Sequence, residues 1–247
     1  MSRNFDILQR AEGHPAGIHT PPAPPPHRNG HSELDGRRSV VNSEVMKLIQ
    51  RVFILPGANK APGAVGFCGV YAGDGCSWVC AHAGEMLADH GGGSVCIVDA
   101  NLHSPSMHDY FKFDNGPGFA DAVKESRPMH EYARRAAGSN LWLITAGTIG
   151  REPNGSLSPA RLRARVGELR GDFDHLLIDT PPLHSFGDAV LLGQLTDGVI
   201  LVVGSNSTRR EPARIAKQSL AAARIPLLGA VLNKRTFPIP EALYRKL

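Results

Sequence analysis

The chain has 247 residues, 42% of them apolar, which suffices for one α/β domain of ordinary size with a substantial core and a short extra segment. Its formal charge of +4 is spread along the chain, which excludes a concentrated basic tail and leaves only a mild bias toward acidic partners. No apolar run approaches the ~20 residues of a membrane span, and Cys68, Cys76, Cys80 and Cys96 form no C-x-x-C pair, so reduced thiols are expected rather than a zinc site.

Along the chain, Arg3, Asp6 and Arg10 interrupt any apolar run at the start, so no secretory leader is expected. Within residues 1–12, Phe5, Leu8 and Ala11 recur at three-residue spacing and predict a short amphipathic helix. Residues 13–40 read as a linker, because the run PPAPPP forbids a helix and favours an extended, exposed chain. One folding unit is expected over 41–247. Its first helix is predicted over 43–54, where Val45, Leu48, Ile49, Val52 and Phe53 make one apolar stripe and Ser43 is placed to cap it. Strands are then predicted over 64–70, 94–99, 141–145, 174–180, 198–204 and 227–232, with helices over 77–89, 158–170, 187–194 and 208–223. Near-continuous apolar runs such as VILVV suit strands buried on both faces. The alternation predicts an α/β fold with a doubly wound, mostly parallel sheet, in which ligands bind beyond the carboxyl ends of the strands.

Three segments fall at such ends. The first is YAGDGCS, residues 71–77, between a strand and a helix. A working phosphate-binding loop reads G-x-x-x-x-G-K-[ST]: its backbone N–H groups cradle phosphate, its lysine reaches the β/γ-phosphates, and its hydroxyl binds Mg²⁺. Gly73, Gly75 and Ser77 match, with Asp74 between the glycines, but Val70 replaces the first glycine and Cys76 stands at the lysine position. The second, VCIVDANLHSP (95–105), and the third, HLLIDTPP (175–182), each end an apolar strand in an aspartate, Asp99 and Asp179. Such a carboxylate holds Mg²⁺ in phosphoryl-transfer sites, or else caps the following turn; both readings stay open here.

Together, GDGCS, VDANLHSP and LLIDTPP resemble the Walker A, A′ and B motifs of the bacterial tyrosine kinases (BY-kinases) of exopolysaccharide operons. Those kinases share the deviant Walker group of P-loop ATPases with the partition and septum-positioning proteins. The resemblance implies ATP or ADP with Mg²⁺ as cofactors, with Gly73, Asp74, Gly75, Cys76 and Ser77 around the phosphates and Asn233 on the adenine base. It implies that Asp99 and Asp179 are catalytic and hold the metal with Ser77. It also implies a membrane chain-length determinant (polysaccharide co-polymerase) as partner, homo-oligomerisation, and a cytoplasmic location peripheral to the inner membrane; nucleic acid is disfavoured. Glu44 matches the family's E-x-x-R-x-x-R oligomerisation motif, but Lys47 and Gln50 replace its arginines.

The departures are as informative as the matches. A lysine–phosphate contact is worth roughly 1.5–3 kcal/mol, and Cys76 cannot supply that charge. At a helix N-terminus its thiolate is expected to be favoured, which repels phosphate further, whereas a neutral thiol still leaves the backbone cradle. In the second motif, Asn101 and His103 replace the family's aspartate and arginine. The family's C-terminal tyrosine cluster is reduced to Tyr244, which is expected to pack rather than accept phosphate. Arg161, Arg163, Arg165 and Arg170 are expected to form a solvated face. Three functions follow: a degenerate, regulatory relative of the kinases, an active tyrosine autokinase or ATPase, and a DNA-binding partition-type protein. The missing lysine favours the first.

Overall fold

The computed structural model describes residues 42–55, 61–136, 138–148, 158–185, 187–205 and 207–234. The expected N-terminal helix, the linker and Tyr244 lie outside the described residues.

The first helix, α1, covers 42–49 and runs on into a wider π turn, Gln50–Ile54, closed by the Leu55 N–H on the Gln50 carbonyl at 2.7 Å. Its expected stripe holds: Val45, Ile49, Val52 and Phe53 are buried. The expected cap does not, since Asn42 is already helical and Ser43 lies inside the helix. There follow β1 (Ala64–Gly69), α2 (Cys76–His90), β2 (Val95–Asp99), α3 (Met107–Phe111) and α4 (Phe119–Lys124). The chain continues through a 3₁₀ turn (Met129–Tyr132), β3 (Arg134–Arg135), β4 (Leu141–Ile144), α5 (Pro159–Asp172) and β5 (His175–Asp179). It ends with α6 (Asp188–Gly193), β6 (Val199–Gly204), α7 (Arg210–Ala222) and β7 (Leu227–Asn233).

Seven strands form one sheet in the order β3-β4-β2-β5-β1-β6-β7, parallel throughout except for β3 against β4. All six predicted strands are present. The two-residue edge strand β3 was not expected, because two arginines carry no apolar periodicity.

The sheet is covered on both faces, as a parallel sheet requires. Alternate residues of β5 face opposite ways: Leu177 packs with α1, α2 and Met107, while Leu176 and Ile178 pack with α4, α5 and Leu192. A third cluster joins Val199 and Leu201 of β6 to Ala216 and Leu220 of α7. Helix α2 lies so close to β2 that a Cβ on Gly84 would overlap the Ile97 side chain, which explains a glycine in the middle of a helix despite its cost of ~1 kcal/mol.

Helix α5 exposes Arg161, Arg163 and Arg170, as expected of a solvated arginine face, and departs from it at Arg165. Arg165 is buried, with its Nε donating to the Ala122 carbonyl at 2.8 Å and its guanidinium also bound to Glu168 and to the Arg127 carbonyl. Arg161 donates to the Lys124 carbonyl at 2.9 Å. The guanidinium fork suits this work, since it can satisfy several carbonyls left over where α4 ends. Arg170 pairs with Asp197 at 2.6 Å, and the Arg163 side chain is exposed.

Candidate functional site

The carboxyl ends of β1, β2, β5 and β6 converge on the Tyr71–Gly75 loop. The loop turns tightly, with the Asp74 N–H on the Tyr71 carbonyl, and Gly73 and Gly75 take φ values of 85° and 84° that a side chain would resist. A Cβ on Gly75 would in addition collide with the Asn233 amide. Asp74 is buried and organises the turn. Its carboxylate accepts from the Tyr71 N–H at 3.0 Å and from the hydroxyls of Ser207 and Thr208 at 3.0 and 2.8 Å, so the loop after β6 straps the phosphate loop from one side. From β7, the Asn233 amide donates to the Asp74 carbonyl at 2.9 Å and the Lys234 ammonium to the Gly73 carbonyl at 2.6 Å. On the other side the chain leaving β5 runs along β1: Thr180, Leu183 and His184 donate backbone N–H groups to Phe67, Gly69 and Val70. These contacts enclose a cleft of about 490 Å³, lined among others by Gly73, Gly75, Ser77, Asn101, His103 and Lys234. The α2 N-terminus opens onto it, so backbone N–H groups and the positive helix end face an incoming anion.

Asp99 and Asp179 are register partners on adjacent strands, and neither has any exposed surface. Asp99 is fully engaged by backbone. Its Oδ2 accepts from Ser106 and Met107 at 3.1 and 3.0 Å, and its Oδ1 from Asn101 at 3.3 Å. Burial raises its pKa while those three N–H groups pull it back. Asp179 differs: neither of its oxygens has a hydrogen-bond partner among the described residues. Burial and the neighbouring Asp99 push its pKa up to about 8. The Ser77 hydroxyl and Cys76 thiol lie near enough to oppose that rise, yet neither stands in hydrogen-bond geometry.

Cys76 opens α2, packs partly against the core, and has its thiol pKa raised well above the ordinary value by burial and by Asp179. The expected thiolate is therefore corrected: desolvation and the facing Asp179 outweigh the helix terminus and favour the thiol form. Cys68, Cys80 and Cys96 are buried free thiols. His103, without a role in the sequence reading, sits 3.2 Å from the Asp188 carboxylate.

A buried carboxylate with two unmatched oxygens beside a hydroxyl is a chemically suitable anchor for hydrated Mg²⁺, so Asp179 and Ser77 fit the metal. Asp99 fits it less well, because its oxygens already serve the chain. The glycine-rich cradle fits phosphate groups, although the cationic side chain comes from Lys234 rather than from residue 76. Lys234, Ser207 and Thr208 escaped the sequence reading. The one available signal was the lysine directly after Asn233. A larger depression of about 980 Å³ lies at the opposite, amino end of the strands, lined by Arg51, Asp174 and His175, with Arg170 and Asp197 already paired at 2.6 Å. It is remote from the loop and the strand-end carboxylates.

A doubly wound parallel sheet with a glycine-rich turn between β1 and α2 and aspartates ending β2 and β5 defines a P-loop NTPase fold with deviant Walker motifs. No protein-family profile matches the chain. It is 33% identical over 195 residues to the tyrosine-protein kinase CpsD of Streptococcus pneumoniae serotype 4, covering 78% of each chain. It is 28% identical over 193 residues to the tyrosine-protein kinase YwqD of Bacillus subtilis, covering 78% of this chain and 81% of that one. The kinase domain of Escherichia coli tyrosine kinase ETK superposes with a TM-score of 0.72 at 20% identity, over 80% of this chain and 78% of that one. The chain belongs to the bacterial tyrosine-protein kinase (BY-kinase) family.

Proposed function

We propose that this protein is a degenerate, regulatory BY-kinase of exopolysaccharide synthesis or export, one that binds nucleotide weakly and acts mainly through contacts with a partner. The observation that carries this reading is Cys76: an uncharged thiol takes the lysine position in a loop that keeps Gly73, Gly75 and Ser77. Family membership supports the rest of the reading: a cytoplasmic protein held at the inner membrane by a chain-length determinant protein and able to self-associate. Among the described residues no helix is long and apolar enough to cross a membrane, so a partner-mediated attachment suits this chain.

In this reading the loop around Gly73, Asp74 and Gly75 receives the phosphates of ATP or ADP through backbone N–H groups, and Asn233 would contact the base. Ser77 and Asp179 would hold Mg²⁺, which when bound neutralises phosphate charge. Asp99 sets the turn behind them. Holding a bound phosphate remains feasible, but the lysine-dependent stabilisation of charge developing during transfer is lost.

Calorimetric titration with MgATP tests this. The natural protein should bind weakly, and Cys76→Lys should bind about 10- to 100-fold more tightly, the usual worth of a charge-assisted contact. Tight binding by the natural protein would sink the degenerate reading. An active autokinase is the second reading, favoured by Lys234 in the cleft; stoichiometric phosphate on Tyr244 after incubation with MgATP, read by phosphopeptide mass spectrometry, would establish it.

A further inference from the structure

The phosphate cleft has a charge problem. Three acidic side chains, Asp74, Asp99 and Asp179, lie in or beneath it and all are buried, the last holding its proton up to about pH 8. Asp74 and Asp99 are bound by hydroxyls and backbone N–H groups, which carry no full positive charge. The residue at the helix N-terminus, Cys76, is neutral. A polyphosphate entering such a site needs a cation, since hydrogen bonds from backbone alone leave much of its charge uncompensated.

Among the described residues lining the cleft, Lys234 is the only lysine or arginine. It follows the last residue of β7, and its position is set by the sheet. Asn233, one residue before it, is tied to the Asp74 carbonyl. The Lys234 stem then crosses the loop, with its Cε 3.7 Å from where a Gly75 Cβ would stand, and its ammonium reaches the Gly73 carbonyl at 2.6 Å. An ammonium carries three donors on a flexible stem that can re-aim them, so contact with an incoming phosphate is compatible with bonds to the chain.

We propose that Lys234 is the phosphate cation of this site, supplying from the end of β7 the charge that residue 76 lacks. The proposal rests on the nucleotide reading of the cleft and deepens it: the ligand class is a nucleoside di- or triphosphate, and its recognition depends on a lysine outside the loop. Lys234 also braces the loop through Gly73, so charge and brace must be separated experimentally.

The full chain and its Lys234→Met, Lys234→Gln and Lys234→Arg variants are titrated with ATP, ADP and adenosine by calorimetry in Mg²⁺ buffer, with thermal melts run on each. The same titrations are made on Cys76→Lys and on Cys76→Lys/Lys234→Met. Lys234→Met and Lys234→Gln should weaken ATP and ADP by about 10- to 100-fold, leave adenosine within about twofold, and flatten the salt dependence of ATP binding. Lys234→Gln matters because it keeps an N–H donor for Gly73 while removing the charge. Lys234→Arg should retain most of the affinity, and the loss from Lys234→Met should shrink when residue 76 is lysine, a coupling the double-mutant comparison reads directly.

Equal weakening of ATP and adenosine would overturn the proposal, because Lys234 would then be only a brace or a base contact. Unchanged ATP affinity in folded Lys234→Met would overturn it while leaving the nucleotide cleft intact. So would a natural protein that binds no ATP when Cys76→Lys does, since Lys234 would then supply no effective charge. If no form binds ATP, Cys76→Lys included, the nucleotide reading fails and the proposal with it.

Discussion

Asp99 and Asp179 invite comparison because they begin alike. Each ends an apolar strand, each is buried, and they stand opposite one another across β2 and β5. They differ in what the chain does next. After Asp99 it turns back at once into α3, and the N–H groups of Asn101, Ser106 and Met107 converge on the carboxylate. After Asp179 it runs straight on through Thr180, Pro181 and Pro182 along β1. The prolines have no N–H to offer, and those of Thr180, Leu183 and His184 go to β1 and the segment just after it. One carboxylate is consumed by its own loop while the other is left with two oxygens unmatched beneath the phosphate loop. A strand-end aspartate is thus a structural fastening or a ligand site according to the N–H groups that follow it.

The largest effect expected from this contrast is on stability at Asp99. Asp99→Ala strands three backbone donors, two of them on one oxygen, and should cost about 2–4 kcal/mol in urea denaturation. A cost near zero would erase the distinction between the two sites.

Asp179 should behave in the opposite sense. Its folded pKa is near 8 whereas an unfolded aspartate titrates near 4. Between those values the folded protein keeps a proton that the unfolded chain has released. The stability linked to this group is therefore present at low pH and lost as pH rises through the window from ~4 to ~8. Asp179→Asn removes that loss, so it should flatten the decline in stability and raise the melting temperature at pH 8, by about 2–4 °C for each kcal/mol relieved. Melting curves at pH 5 and pH 8 decide this, and an unchanged slope would mean that the carboxylate is not isolated. Millimolar Mg²⁺ at pH 8 should stabilise the natural protein and not the variant.

A smaller effect concerns Cys76. With its pKa raised by burial and by Asp179, its alkylation by iodoacetamide at pH 8 should be slower than that of a free thiol, and faster in Asp179→Asn. Rates followed by mass spectrometry would show whether Asp179 reaches the thiol electrostatically. The smallest effect is expected in the cell. If contacts carry the function, a strain with Asp179→Asn should make exopolysaccharide as the natural strain does, while a deletion should change its amount or chain length. Output matching the deletion, with the variant folded and abundant, would show that nucleotide chemistry at this site is required.

Much of this was legible from residue order. The strands show themselves because a strand covered on both faces must be apolar along its whole length, as VILVV and HLLID are. The loop shows itself because only glycines tolerate its φ values, and the two aspartates because a charge ending such a strand is costly without a purpose. Ser43 misled because a capping residue type is also tolerated inside a first turn. Arg165 misled because charge alone does not tell whether a side chain meets water or, as here, the carbonyls of a helix 43 residues away.

The order of apolar runs and turns in this chain was enough to specify a doubly wound sheet and to bring 71–77, Asp99 and Asp179 to its carboxyl edge, since periodicity and chain reversal act over a few residues. It could not assign roles among them. The engagement of Asp99 and the isolation of Asp179 follow from which backbone N–H groups converge on each. The raised pKa of the Cys76 thiol follows from its burial and then from an acidic side chain 103 residues away on β5. The arrival of Lys234 at Gly73, across 161 positions, depends on β7 joining the sheet beside β6. Contacts of this kind are fixed by packing over long separations, where local pattern carries no information.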